Sequence, residues 1–285
     1  DAEQIGGGFR FAGTLARGGL YYVHRTVDAE DGDQTVADVF DVHLASDITL
    51  GEGLKLILET ETALIRGTTD LASTTDFVEH DLKQFGWAAR ATLDAGEFGG
   101  VLDFVYASGD QNFDDNEQNA FKADPNYQQG LFLFRQVIAG QTGRAPVTAS
   151  DLELVGRPSE DLDRFSSRGS ITNTVSFFPK GYWRPVSGLT LYGGALLAFA
   201  EGDVADPLNT RLAGGDPRNA LAGDPGAYLG TEFDLGVRYQ YSLSFVGLGA
   251  GLEGGVLLPG SALQDESGAT IDPIAGGRLI ARVTF

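Results

Sequence analysis

The 285-residue chain has no cysteine and no methionine, three histidines, and 20 lysines and arginines against 40 aspartates and glutamates. The lack of cysteine excludes disulfide frameworks and thiolate metal sites, and it allows an oxidising compartment without requiring one. With no methionine and a start at Asp1, the expectation is that an initiator and a targeting segment have been removed. No apolar run approaches the about 20 residues that a transmembrane helix needs. The longest, Val246 to Leu258, is broken by glycines and by Glu253, so any membrane crossing must use strands. The net charge of −20 leaves no basic face for a phosphate backbone, which argues against a nucleic-acid partner. The acidic excess reads as solvated loops.

What the chain has in quantity is glycine, 40 residues, together with 18 phenylalanines. That much glycine would weaken helix interiors, so sheet with long loops fits better. From Leu229 to Tyr241, apolar Leu229, Thr231, Phe233, Leu235, Val237, Tyr239 and Tyr241 alternate with Gly230, Glu232, Asp234, Gly236, Arg238 and Gln240. A period of two is a strand, here with one apolar face and one charged face that must meet water or ion partners. The same alternation recurs at Phe40–Leu44, Leu54–Leu64, Phe85–Leu93, Gly100–Tyr106, Ile171–Phe177, Leu189–Phe199, Val246–Leu258 and Arg278–Phe285.

Read backward from Phe285, short turns at Tyr241–Ser244, Pro185–Gly188, Asp94–Glu97 and Thr49–Gly53 alternate with longer acidic connections. That parity predicts an all-β, antiparallel, up-and-down transmembrane β-barrel of about ten strands, with both chain ends on the short-turn side. It forms one domain over 1–285, with a long extracellular loop at about 108–168. Ile5–Asp28 is long for a single strand and its alternation slips near Arg17, Gly18 and Gly19, so a bulge or a separate short strand belongs there. An N-terminal portion missing before Asp1 would raise the strand number.

Leu279, Ala281, Val283 and terminal Phe285 at alternate positions resemble the assembly signal of bacterial outer-membrane proteins. Tyr228 to Gly260, YLGTEFDLGVRYQYSLSFVGLGAGLEGGVLLPG, resembles the closing hairpin of the alginate-export family of outer-membrane barrels. Tyr106–Asp110, YASGD, is similar to an internal landmark of that family. The resemblance implies an outer-membrane conduit, a passive pore or export channel, for an anionic solute or polysaccharide. The family builds a larger barrel from a longer chain.

Distance from the turns sorts the charged face into two groups. Lys55, Arg90, Arg238 and Arg282 fall towards the short turns, a basic inner constriction. Glu59, Glu61, Asp103, Glu232, Asp234 and Glu253 fall towards the long loops, an acidic vestibule, and Arg278 falls there too. This arrangement selects anions by charge at the narrowest point. The alternative is a structural barrel whose charges pair and fill the lumen and whose long loops bind protein partners, since a barrel near eight strands has room for little more than side chains. Membrane lipid and lipopolysaccharide are the expected partners, and the cell outer membrane the expected location.

Asp110, Asn112, Asp114, Asp115 and Glu117 present oxygens at a spacing like the start of a calcium loop, but Asp115 stands at the glycine position and Phe121 at position twelve. Ca2+ in the extracellular loops is thus a weak candidate, and no other cofactor is implied. Leu131, Phe134, Val137 and Ile138 after Pro125 have helical spacing, which suggests a short helix either plugging the barrel mouth or covering its rim. Gly249, Gly251 and Gly254 spell GxGxxG, but no helix follows to hold a dinucleotide. His24, His43 and His80 lie in separate segments with no HExxH and no GxSxG, so the chain does not read as an enzyme. His43 beside Asp41 is the one histidine worth testing. Trp87, Trp183, Tyr182, Tyr239 and Tyr241 read as an aromatic girdle near the short turns.

Overall fold

Alternating segments of this kind leave every backbone N–H and C=O pointing sideways, and folding each strand back on its predecessor pairs them on both edges of every long strand except β1 and β12, which are paired on one edge among the described residues. The computed structural model describes residues 1–29, 32–71, 77–111, 115–143, 167, 169–243 and 246–284. Within these the strands are β1 (Ala2–Ala12), β2 (Arg17–Asp28), β3 (Gln34–Gly51), β4 (Leu54–Thr69), β5 (His80–Ala95), β6 (Phe98–Ala107), β7 (Glu117–Gln118), β8 (Thr174–Val186), β9 (Leu189–Phe199), β10 (Tyr228–Leu243), β11 (Val246–Pro259) and β12 (Ile274–Thr284). They make one 12-stranded sheet. Each strand pairs antiparallel with its neighbour in sequence, except that the two-residue β7 lies parallel against β5 and β6 pairs with β8.

The fold is therefore all-β, antiparallel and up-and-down, and its four later short turns and longer connections fall where the alternation places them. Gly96 and Gly188 hold φ of +80° and +82° in two of those hairpins, a conformation the tight turn needs and a side chain would strain. The opening segment differs from the simplest expectation. Gly13 N–H donates to the Ala16 carbonyl at 2.8 Å, and Ala12 and Phe9 pair back onto Arg17 and Leu20. The slip near Arg17 is thus the start of a second strand. With β7 set aside, eleven strands form the meander, so Ala2 lies on the long-connection side and Thr284 on the short-turn side. Phe285 falls outside the described residues.

The two faces have opposite character. On the outward face Leu279, Leu235 and Phe9 are 82 %, 72 % and 67 % exposed, far from the burial of a packed core. On the inner face Leu196, Ala198, Leu257 and Val105 are buried with Leu133, Phe134 and Ile138 of the long β6–β8 connection and with Leu263 of the β11–β12 connection. The core therefore sits on one side only of the sheet, where β6 and β8–β11 are covered by chain that folds back onto them.

Candidate functional site

Strand register fixes which inner-face side chains meet. Arg90 on β5 stands directly opposite Asp103 on β6, and its Nε donates to Asp103 Oδ1 at 2.5 Å while Nη2 donates to Oδ2 at 3.3 Å. The Lys180 ammonium on β8 donates to the same carboxylate, which is 1 % exposed. Glu253 on β11 repeats the arrangement: Arg238 donates to Oε1 and Arg278 Nε to Oε2 at 2.5 Å, and the Tyr192 hydroxyl also donates to Oε1. A carboxylate this buried is stable when ionised only with such partners. Each cluster sets one carboxylate against two cations.

A single cross-strand row lies towards the short turns from the Arg90–Asp103 level. Gly99 on β6 faces Tyr182 on β8, Tyr182 faces Tyr192 on β9, and Tyr192 faces Gly236 on β10. A Cβ at Gly99 would fall 2.1 Å from the Tyr182 ring and one at Gly236 2.4 Å from the Tyr192 ring, so each tyrosine lies over the glycine beside it. Arg184 Cζ sits over the Tyr182 ring, 4.3 Å from its centroid, and Arg238 Cζ over the Tyr192 ring at 5.0 Å. Arg184 also lies 3.5 Å from Asp94.

The other half of the site is the folded-in connection. Phe121 N–H donates to the Ser108 carbonyl at 3.0 Å, and Ala123 N–H to Ile171 at 3.0 Å. The Ser176 hydroxyl donates to Gln129 Oε1 at 2.6 Å. The segment then turns through a π-helical stretch, Leu133–Ile138, and one α-helical turn, Ala139–Gln141. Fully buried Glu232 on β10 accepts the backbone N–H groups of Leu131, Phe132 (2.9 Å) and Leu133 (2.8 Å). These are donors that the helix cannot satisfy itself, and the carboxylate meets the positive end of its dipole. Gly86 leaves the space that the Phe121 ring fills, and Gly255 and Gly276 lie against the Phe132 ring. The helix expected after Pro125 is thus present and occupies the inner face of the sheet.

The basic and acidic groups of the sequence are interleaved by register. Glu59, Arg90 and Asp103 stand side by side on β4, β5 and β6. Arg238 is paired with Glu253, while Lys55 and Arg282 have no ion pair among the described residues, and neither has Arg10 on β1. Glu61 is opposite His43, and Asp234 shares the inner face with Glu232. Of the calcium-type run, Asp110 accepts the Asn119 N–H at 3.1 Å, Asp115 accepts the Glu117 N–H at 2.9 Å, and Glu117 pairs with Lys83. That pairing holds the Glu117 carboxyl below the usual carboxylate range. Asn112 and Asp114 lie outside the described residues.

Sequence reasoning missed Lys180, Arg184 and Tyr192. It ended the alternation at Phe177, yet β8 continues to Val186, with Pro179, whose missing N–H weakens a strand signal, directed to the outward face and paired with Leu102. The Phe178, Lys180, Tyr182 alternation was the available signal. Tyr182 faces inward, so it does not belong to a girdle. Trp183 does lie outward and stacks on Phe98, with centroids 6.0 Å apart, near the turn that Tyr239 and Tyr241 also approach. Trp87 is outward at mid-height, edge-on to Phe104.

No family model and no curated protein matches the chain. Among solved structures it is similar to the NanC porin in a rhombohedral crystal form, with a TM-score of 0.34 and 10 % sequence identity over 99 % of this chain and 98 % of that chain.

Proposed function

We propose that the chain forms the wall of a passive outer-membrane pore, closed as a β-barrel, that favours anionic solutes. The observation that carries this reading is the opposite polarity of the two faces of the same strands. On β5 the outward residues from Phe85 to Leu93 are aromatic or aliphatic, a stretch of about 27 Å along the strand at ~3.4 Å per residue. At the tilt of ~35–45° usual in such barrels a strand of that length spans about 19–22 Å, most of an apolar band about 25 Å tall. A directly opposed polar row, His24, Asp38, Arg66 and Lys83 on β2 to β5, limits the band on the long-connection side. Phe98, Trp183, Tyr239 and Tyr241 limit it on the other.

The preference for anions rests on how inner-face acids are held. Asp103 and Glu253 are each bound by two cations, and Glu232 is saturated by backbone donors, whereas Lys55, which stands opposite Asp94, and Arg282 form no ion pair among the described residues and lie towards the short turns. A solute passing that level meets more cation than carboxylate. No catalytic step and no cofactor belongs to this reading, and lipid and lipopolysaccharide are the surroundings of the outward face.

The test is single-channel recording in planar bilayers under a KCl gradient. The expected result is measurable conductance with a reversal potential on the anion side, shifted towards cations by Lys55→Glu with Arg282→Glu. No conductance, or cation preference in the unaltered protein, would overturn the proposal.

A further inference from the structure

Three inner-face cations lie over aromatic rings, Lys180 over Phe178 and the two arginines of the tyrosine row, and of these only the arginines present a planar guanidinium. Arg184 and Arg238 do not stand free. Each lies over a tyrosine ring, and each ring lies over a glycine of the adjoining strand, so the two units flank one another as Arg–Tyr and Tyr–Arg on β8, β9 and β10. Both guanidinium groups remain about half exposed towards the inner face. Asp94 approaches the first from one side and Glu253 holds the second, with Arg278 sharing Glu253. A guanidinium backed by an aromatic ring loses the freedom to turn, and what it offers is a planar fork of N–H donors rather than a diffuse positive charge.

Such a fork distinguishes between anions of equal charge. A carboxylate or phosphate presents two oxygens that accept parallel hydrogen bonds from one guanidinium, and a spherical halide cannot. Resting on the pore reading above, we infer that Tyr182 and Tyr192 are specificity-determining residues that make the pore select oxyanions over halides. They act by holding Arg184 and Arg238 flat against the wall, and the glycines Gly99 and Gly236 are what permit that posture.

The experiment measures two ratios in the same bilayers: anion over cation permeability in a KCl gradient, and acetate over chloride permeability with potassium acetate opposite potassium chloride. In the unaltered protein the acetate-to-chloride ratio should exceed the ratio of the two ions' mobilities in water by about threefold, because the fork holds acetate by two parallel hydrogen bonds to separate oxygens and chloride only at a single atom. Tyr182→Leu with Tyr192→Leu should bring it down to the mobility ratio, a larger fall than that in anion over cation preference. Tyr182→Phe with Tyr192→Phe, which keeps both rings, should retain it. Arg184→Lys with Arg238→Lys keeps the charge and removes the fork, so it should lose the acetate preference even if the leucine pair does not insert into membranes. An acetate-to-chloride ratio at the mobility value in the unaltered protein, or one unmoved by the lysine pair, overturns the inference while leaving an anion-selective pore intact. Absence of anion preference in the KCl gradient defeats the pore reading itself.

Discussion

Glu232 shows how much one side chain can hold. A carboxylate with no solvent exposure would cost several kcal/mol if left alone, and here three consecutive backbone N–H groups offset that cost. Those donors belong to residues about a hundred positions earlier in the chain, so the contact ties the β6–β8 connection to β10. Glu232→Gln removes the charge and turns an NH2 group towards donors that need an acceptor. Charge-assisted hydrogen bonds contribute more than neutral ones, and the substitution should destabilise the docked segment by about 3 kcal/mol. The expected outcome is faster hydrogen exchange at Leu131, Phe132 and Leu133, with β10 itself still protected. Unchanged exchange at those three amides would mean that the apolar contacts of Phe132 and Phe134 hold the segment without help. The Glu232 role was not legible in the sequence, which marked the residue as inward-facing but gave no sign of a partner so distant.

At the scale of elements, periodicity was a good guide wherever the outward face met nothing that disturbed it. Leu229–Tyr241 and Val246–Leu258 read as strands from alternation alone and pair along their whole length. Alternation was a poorer guide where prolines interrupted it, as at Pro179 in β8, and where two strands ran close together, as at the β1–β2 turn. It also could not say which inner-face charges neutralise one another, because that depends on register: Arg90 and Asp103 are 13 residues apart and directly opposed, but Lys180 reaches Asp103 from 77 residues away. The connections have their own local order. In the β11–β12 connection Asp265 accepts the Ser267 hydroxyl at 2.6 Å, the Ser267 N–H at 2.8 Å and the Ala269 N–H at 3.1 Å. The Ser267 hydroxyl and these backbone donors hold its carboxyl below the ordinary aspartate value. Because the folded form favours the ionised acid, the loop's extra stability is fully present above the unfolded aspartate value and is lost as pH falls through the lowered one. Amide exchange at Ser267 and Ala269, corrected for its intrinsic pH dependence, should therefore stay constant from neutral pH down to mild acid and quicken below it. Asp265→Asn should show the quicker exchange already at neutral pH, and a flat profile in the unaltered protein would show that the carboxylate does not govern the loop.

For the whole molecule, the decisive property is that large apolar side chains of the outward face are exposed, while the charged side chains and the docked connection share the inner face, an arrangement that the pore reading accounts for with lipid against the outward face. The two faces of one strand then respond oppositely to the same kind of substitution. Leu235 on β10 projects outward from the middle of the apolar stretch and is 72 % exposed; its neighbour Asp234 projects inward. In water, an arginine at an exposed position such as Leu235 would cost almost nothing. In a bilayer the same arginine has to enter hydrocarbon, and near the midplane of a barrel wall that costs about 2–4 kcal/mol, falling towards zero at the interfaces. The gradient is the diagnostic, since Leu235→Arg should lower the free energy of folding into phosphatidylcholine vesicles far more than Tyr241→Arg, which sits near the short turns where aromatic rings meet the headgroups. Arginine tolerated equally at both positions would mean that no lipid surrounds this face. The depth dependence is also what separates a bilayer from a detergent-like protein partner, because a partner's surface would impose a cost set by local packing and not by distance from a midplane.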